Sequence, residues 1–212
     1  LFILRPDMAL PTLLGTNKCS SIMGTAAATW TYLRKVSVHW RLLFPAIGAA
    51  FPGSRFGAQA TSLLNPAVAR PLMLGLLVLM ALYTIFKPDL GTVRGISPAG
   101  WRAYATMALI GLIIGFYDGF FGPGTGSFFV FLLVRVLGYD FLNASASAKL
   151  LNVATNVAAL ILFSMKGHVW WHFAVPLAIA NVLGSVLGTH MALKHGTGFV
   201  RYIFITVVSV LI

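Results

Sequence analysis

The sequence predicts an all-α integral membrane protein, a polytopic bundle of two related, inverted halves interrupted by a Gly-rich helix break. Three observations carry this. Of the 212 residues, 58% are hydrophobic and only 9% charged, where soluble domains carry roughly 25% charge. The apolar residues fall into runs of membrane-spanning length. The chain also matches itself, without a gap, at an offset of 131 residues.

A span needs about 20 mostly apolar residues. Eight apolar segments meet or approach this, at roughly 13 to 33, 42 to 62, 68 to 86, 103 to 121, 127 to 137, 145 to 165, 171 to 193 and 199 to 212. The fifth is short. Pro45, Pro52 and Pro176 lie inside segments, which membrane helices tolerate when neighbours satisfy the freed backbone groups. The longest polar stretch, KPDLGTVRGISPAGWR (87 to 102), reads as a loop joining two halves, 1–95 and 96–212.

At the 131-residue offset, positions 18 to 70 align with 149 to 201 and 12 of 53 are identical. Two Lys pairs (Lys18/Lys149, Lys35/Lys166), a Trp pair (Trp40/Trp171) and a Pro pair (Pro45/Pro176) stand among them, so the match is not a coincidence of Ala and Leu. The second half opens with an apolar segment and a Gly-rich stretch (103 to 137), whose first-half counterpart would precede Leu1. The first half's final segment maps just past Ile212. The expectation is a fragment lacking one N-terminal hairpin and a few C-terminal residues.

Positive charge tests the inversion, because Lys and Arg collect on the cytoplasmic side. If every segment crosses, Arg34, Lys35, Arg41, Lys87, Arg94, Arg102, Arg135, Lys194 and Arg201 share one side, against Arg5, Arg70 and Lys166. That is 9 against 3. If the Gly-rich hairpin counts as one crossing, the halves become parallel and the count falls to 7 against 5. The inverted arrangement is preferred, with the 87 to 102 loop cytoplasmic.

The residues that could carry chemistry lie on two helices and one break. Ser145, Lys149, Asn152 and Asn156 recur at helical spacing on one face, and Lys18, Ser21, Thr25 and Thr29 form a similar face in the first half. An ammonium at the bilayer centre costs about 2.5 to 3.5 kcal/mol on insertion scales, so it needs a partner or a wet cavity. The bland alternative is that both Lys sit near helix ends and snorkel to headgroups. A polar stripe extending two turns beyond each Lys favours a site.

In GFYDGFFGPGTGSF (115 to 128), Gly122, Gly124 and Gly126 permit positive φ and Pro123 breaks the helical ladder. Exposed amides at such a break suit an anion; the alternative is an ordinary tight turn at the membrane surface. No Lys-Ser or Lys-Thr follows the glycines, which excludes a nucleotide-binding P-loop. Asp118 beside the break has three readings: a counter-ion for Lys149, a proton carrier, or a headgroup-level charge. Gly53/Gly57 and Gly184/Gly188 form GxxxG pairs suited to close helix packing. Arg55 and His190 share those segments and could face a cavity.

Other classes fare worse. The +11 charge is scattered singly between apolar runs and forms no stripe for nucleic acid. There is no HExxH or GxGD, and Ser145 with His190 lacks a supporting motif, so no enzyme, metal or cofactor is expected. The single Cys19 excludes an internal disulfide.

LPTLLGTNKCSSIMGTAAATW (10 to 30), GFYDGFFGPGTGSF and ASAKLLNVATN together resemble the sulfite exporter TauE/SafE family over nearly the whole chain. The resemblance implies a multi-pass transporter of the bacterial inner membrane, built from two related halves and moving sulfite, sulfonates or other small organosulfur anions. The polar faces and the Gly-rich break independently suggest an anion site, with Lys18, Ser21, Thr25, Lys149, Asn152, Asn156, Gly122, Gly124 and Gly126 as the substrate-binding candidates. An anion channel, or a non-transporting membrane scaffold, are the alternatives. The partners are then a small anion and the lipid bilayer, with the oligomeric state left open.

Overall fold

The computed structural model describes residues 9–63, residues 68, 71, 72, 75 and 78, and residues 100–211, without the side chains of Phe141 and of 195 onward. Most of the third apolar segment and of the 87 to 102 loop lie outside these residues.

Six helices are described: α1 (Leu10–Leu33), α2 (Trp40–Leu63), α3 (Trp101–Phe120), α4 (Thr125–Leu137), α5 (Phe141–Met165) and α6 (Trp171–Leu211). Their ends follow local chemistry. Pro11 occupies the first turn of α1, where its missing N–H costs nothing. Gly138, at φ 68°, closes α4: its own N–H donates to Val134 and that of Tyr139 to Leu133, a Schellman closure. Asp140 caps α5, its Oδ1 accepting from the N–H groups of Leu142 and Asn143. Among the described residues, Trp101–Phe120, Leu142–Met165 and Trp171–Lys194 are long and apolar enough to cross a bilayer. The 24-residue α1 is long enough but carries the polar run around Lys18.

The two final apolar segments, expected to be separate, form one helix of 41 residues. At 1.5 Å per residue this is about 60 Å, twice the hydrocarbon thickness. The sequence KHGTG (194 to 198) contains no Pro, so every N–H remains available to continue the ladder.

Packing fixes the helix directions. Tyr32 near the end of α1 lies against Ser145 and Lys149 near the start of α5, while Gly15 near the start of α1 abuts Phe163 near the end of α5. The pair is therefore antiparallel. By the same reasoning α2 runs parallel to α5, since Ser54 bonds Thr155 and Ser62 bonds Lys166. α1 runs parallel to α6, with Ser20 and Gly24 meeting Asn181 and Ser185. α1 and α5 begin 131 residues apart, as do α2 and α6, and each such pair points in opposite directions. Arg34, Lys35, Arg41, Arg102, Arg135 and Lys194 consequently lie toward one end of the bundle, and Lys166 toward the other.

α2 and α3 are in parallel backbone contact. Gly111, Gly115 and Gly119 lie on Ala46, Ala50 and Ser54, while Gly53 and Gly57 lie on Leu112, Phe116 and Phe120. Only residues without side chains permit this approach. The other GxxxG pair behaves differently: Gly184 and Gly188 have nothing within 4 Å of an added Cβ among the described residues.

Two apolar clusters form the core. One gathers Leu43, Ala50, Met107, Ile114, Phe129 and Leu151 with their neighbours; the other gathers Leu14, Ala58, Phe121, Ala159 and Phe163 with theirs. On α2, α3 and α5 the residues between the two clusters are polar and buried: Ser54, Asp118, Thr155 and Asn156, and the buried Lys18 of α1 reaches the same band. Trp30, Trp40, Trp101 and Trp171 are exposed near helix ends, as interfacial aromatics are.

Candidate functional site

The buried polar band contains an ion pair. Lys18 Nζ donates to Asp118 Oδ2 at 2.7 Å, and the two side chains are 5% and 2% exposed. Asp118 is thus the counter-ion of Lys18 and not of Lys149. The antiparallel packing explains this. With Tyr32 opposite Ser145 and Gly15 opposite Phe163, Lys18 lies opposite residue 160, about 16 Å along the helix axis from Lys149. The two ammonium groups therefore sit at different levels.

Just beyond Asp118 the helix breaks. Gly122 and Gly124 adopt φ 94° and 78°, left-handed conformations that other residues rarely reach. Gly126 does not; it is helical in the first turn of α4, where an added Cβ would lie 3.8 Å from Asn152 Nδ2. A Cβ at Gly122 would lie 3.3 Å from Lys18 Nζ, so the missing side chain leaves room for the ammonium.

Three carbonyls at the break are satisfied by hydroxyls. Thr61 donates to Phe120 at 2.6 Å, Thr125 to Gly122 at 2.6 Å and Tyr117 to Pro123 at 2.7 Å. The first turn of α4 has no side-chain cap. Its N–H groups carry the positive end of the helix dipole; those of Thr125 and Ser127 donate to the Gly122 and Gly124 carbonyls, which leaves the Gly126 N–H as the open donor of this turn. Around it, Asn156 Nδ2 donates to Asn152 Oδ1 at 3.0 Å, and the buried Asn156 Oδ1 has no partner.

The remaining candidates are more dispersed. Ser21 and Thr25 are half-buried on α1. The half-buried Lys149 places its ammonium 5.6 Å from the centroid of the Tyr32 ring, within cation–π range, and Ser145 lies beside the Tyr32 hydroxyl. Arg55 and His190 are exposed. Sequence reasoning missed Thr61, Tyr117 and Thr125; the latter two flank the glycines, and that proximity was the available signal. It also missed the Gly111, Gly115 and Gly119 stripe, which is legible as two successive GxxxG spacings.

The profile of the family described as Sulfite exporter TauE/SafE matches residues 1–212. The chain belongs to the sulfite exporter TauE/SafE family. It is 34% identical over 194 residues to a "Probable membrane transporter protein ORF9" of a Sinorhizobium species, covering 92% of this chain and 74% of that protein. A "Probable membrane transporter protein" of Haemophilus influenzae is 31% identical over 199 residues, covering 94% and 77%. The "Probable membrane transporter protein YfcA" of Escherichia coli K12 is 30% identical over 209 residues, covering 99% and 77%. No solved structure matches. The TauE/SafE chain is accordingly a multi-pass membrane transporter of helical architecture.

Proposed function

We propose that this TauE/SafE chain is a carrier for small anions, sulfite, sulfonates or related organosulfur compounds, without chemical conversion of its cargo. The anion is held at the broken helix, in the room left by Gly122 and Gly124, by the Lys18 ammonium, the Gly126 amide in the first turn of α4, and the carboxamides of Asn152 and Asn156. Ser21 and Thr25 line the approach on α1, and Lys149 supplies a second cation on the opposite level. The observation that carries this reading is a buried ammonium beside a helix break whose carbonyls are already occupied and whose glycines leave room next to it.

The halves 1–95 and 96–212 act as inverted repeats of the kind that exchange access between two membrane faces. Apolar clusters close the polar band on both sides, which favours a carrier over an anion channel, because a channel needs polar positions from face to face. The bacterial inner membrane is the proposed location, with the Arg34 and Lys35 end cytoplasmic.

The test is uptake of labelled sulfite and methanesulfonate into proteoliposomes holding the full chain. Lys149→Ala and Asn152→Ala should each lower flux about tenfold, the effect of losing one charged or polar contact, with membrane abundance unchanged. Normal flux in both variants would remove these residues from the mechanism. Absence of flux in the unaltered protein would favour a scaffold.

A further inference from the structure

The site just described contains a charge that its proposed cargo must displace. Lys18 spends its short hydrogen bond on Asp118, both side chains are excluded from solvent, and no other acidic residue lies on the described helices. As a pair they are neutral. Because Lys149 lies about 16 Å away along the helix axis, an arriving monoanion would leave a net negative charge at the pair, and a buried uncompensated charge is expensive. Adding one proton to Asp118 restores neutrality and frees the ammonium.

Resting on the anion-site reading, we propose that Asp118 is the proton-coupling residue of this transporter and that one proton binds with each monoanion. The step is an exchange of partners. The Asp118 carboxylate accepts a proton and becomes a neutral carboxylic acid; the Lys18 ammonium keeps its own protons and moves its hydrogen bond from Asp118 to the anion. No bond to the cargo forms and nothing is oxidised or reduced. Release on the other face reverses the step, and the ion pair re-forms as the proton departs. The same geometry prevents slippage, because the empty carrier returns as a neutral pair and the loaded one as a neutral triad.

Other titratable groups around the pair are already committed or distant. On α1 the half-buried Cys19 packs with the apolar cluster of Leu14, Phe121 and Phe163. On α3 the Tyr117 hydroxyl donates to the Pro123 carbonyl. Lys149 on α5 lies over Tyr32, Arg135 is near the far end of α4, and Arg55 on α2 and His172 on α6 are exposed. The competitor is His168, half-buried in the α5–α6 loop with its carbonyl against Gly15, one turn from Lys18.

The experiment measures proton uptake when methanesulfonate, whose charge is fixed, binds the full chain in weakly buffered micelles. Binding is followed separately by Trp fluorescence. The expected result is close to one proton taken up per anion bound. His168→Gln should leave that ratio unchanged. Asp118→Asn, whose amide oxygen still accepts from Lys18, should bind the anion with a ratio near zero; in proteoliposomes it should retain counterflow while an inward proton gradient no longer drives accumulation. Binding without proton uptake in the unaltered protein overturns the coupling and leaves the anion site standing. Loss of uptake in His168→Gln with retention in Asp118→Asn reassigns the proton to His168 and overturns the proposal. No methanesulfonate binding at all overturns the anion-site reading, and the coupling with it.

Discussion

Replacing Lys18 by Met and Asp118 by Leu, singly and together, measures what the buried pair contributes. Each single change keeps most of the side-chain volume and strands one charge in a band where its partner was 5% or 2% exposed. Stranding a buried charge costs about 3 to 5 kcal/mol, so each single variant should shift the unfolding equilibrium a few hundred to a few thousand fold. The double variant strands nothing. Apolar replacement of a whole buried pair is near neutral, or stabilising by about 1 to 4 kcal/mol, so it should be at least as stable as the parent and well short of the summed single losses. The assay is unfolding by SDS in mixed micelles, read by Trp fluorescence as a double-mutant cycle. Additive single losses, with the double variant the least stable of the four, would refute a direct, dry ion pair.

Two further outcomes follow from packing and charge. Gly115→Leu would place its Cβ 2.5 Å from the Ala50 carbonyl oxygen, and since that contact is backbone the α2–α3 pair must separate; a loss of about 1 to 3 kcal/mol or more is expected. Gly184→Leu, at the repeat-related GxxxG with open space around it, should change stability by about 0.5 kcal/mol or less; unfolding of both variants in the same micelles checks the contrast. In a Cys19→Ser background, a Cys placed at Ser37 should resist labelling by an impermeant thiol reagent applied outside intact cells, while one at His168 should react. The reverse pattern would invert the assigned orientation.

Much of the architecture could be read from residues alone, because a bilayer constrains backbone so severely. Apolar run lengths located α1 to α5 to within a few residues, and the offset of 131 anticipated helices that start 131 residues apart. The merger of the last two segments was not legible, since a KHGTG run reads as a turn by composition although nothing in it breaks a helical ladder. At the site, the Lys faces and the Gly-rich break were visible as motifs. Which Lys meets Asp118 was not, because it depends on how α1 and α5 are offset against each other, and that is fixed by distant contacts such as Gly15 on Phe163. The hydroxyls of Thr61 and Tyr117 were illegible for a related reason: their roles appear only once the break presents carbonyls to be satisfied.

The central claim, that the chain carries an anion by alternating exposure of one site, is tested most directly by counterflow. Proteoliposomes containing the full chain and preloaded with unlabelled sulfite should take up labelled sulfite transiently above its equilibrium level, and empty proteoliposomes should not. Equal labelled uptake with and without internal sulfite, rising steadily to equilibrium, would contradict a carrier and point to a channel.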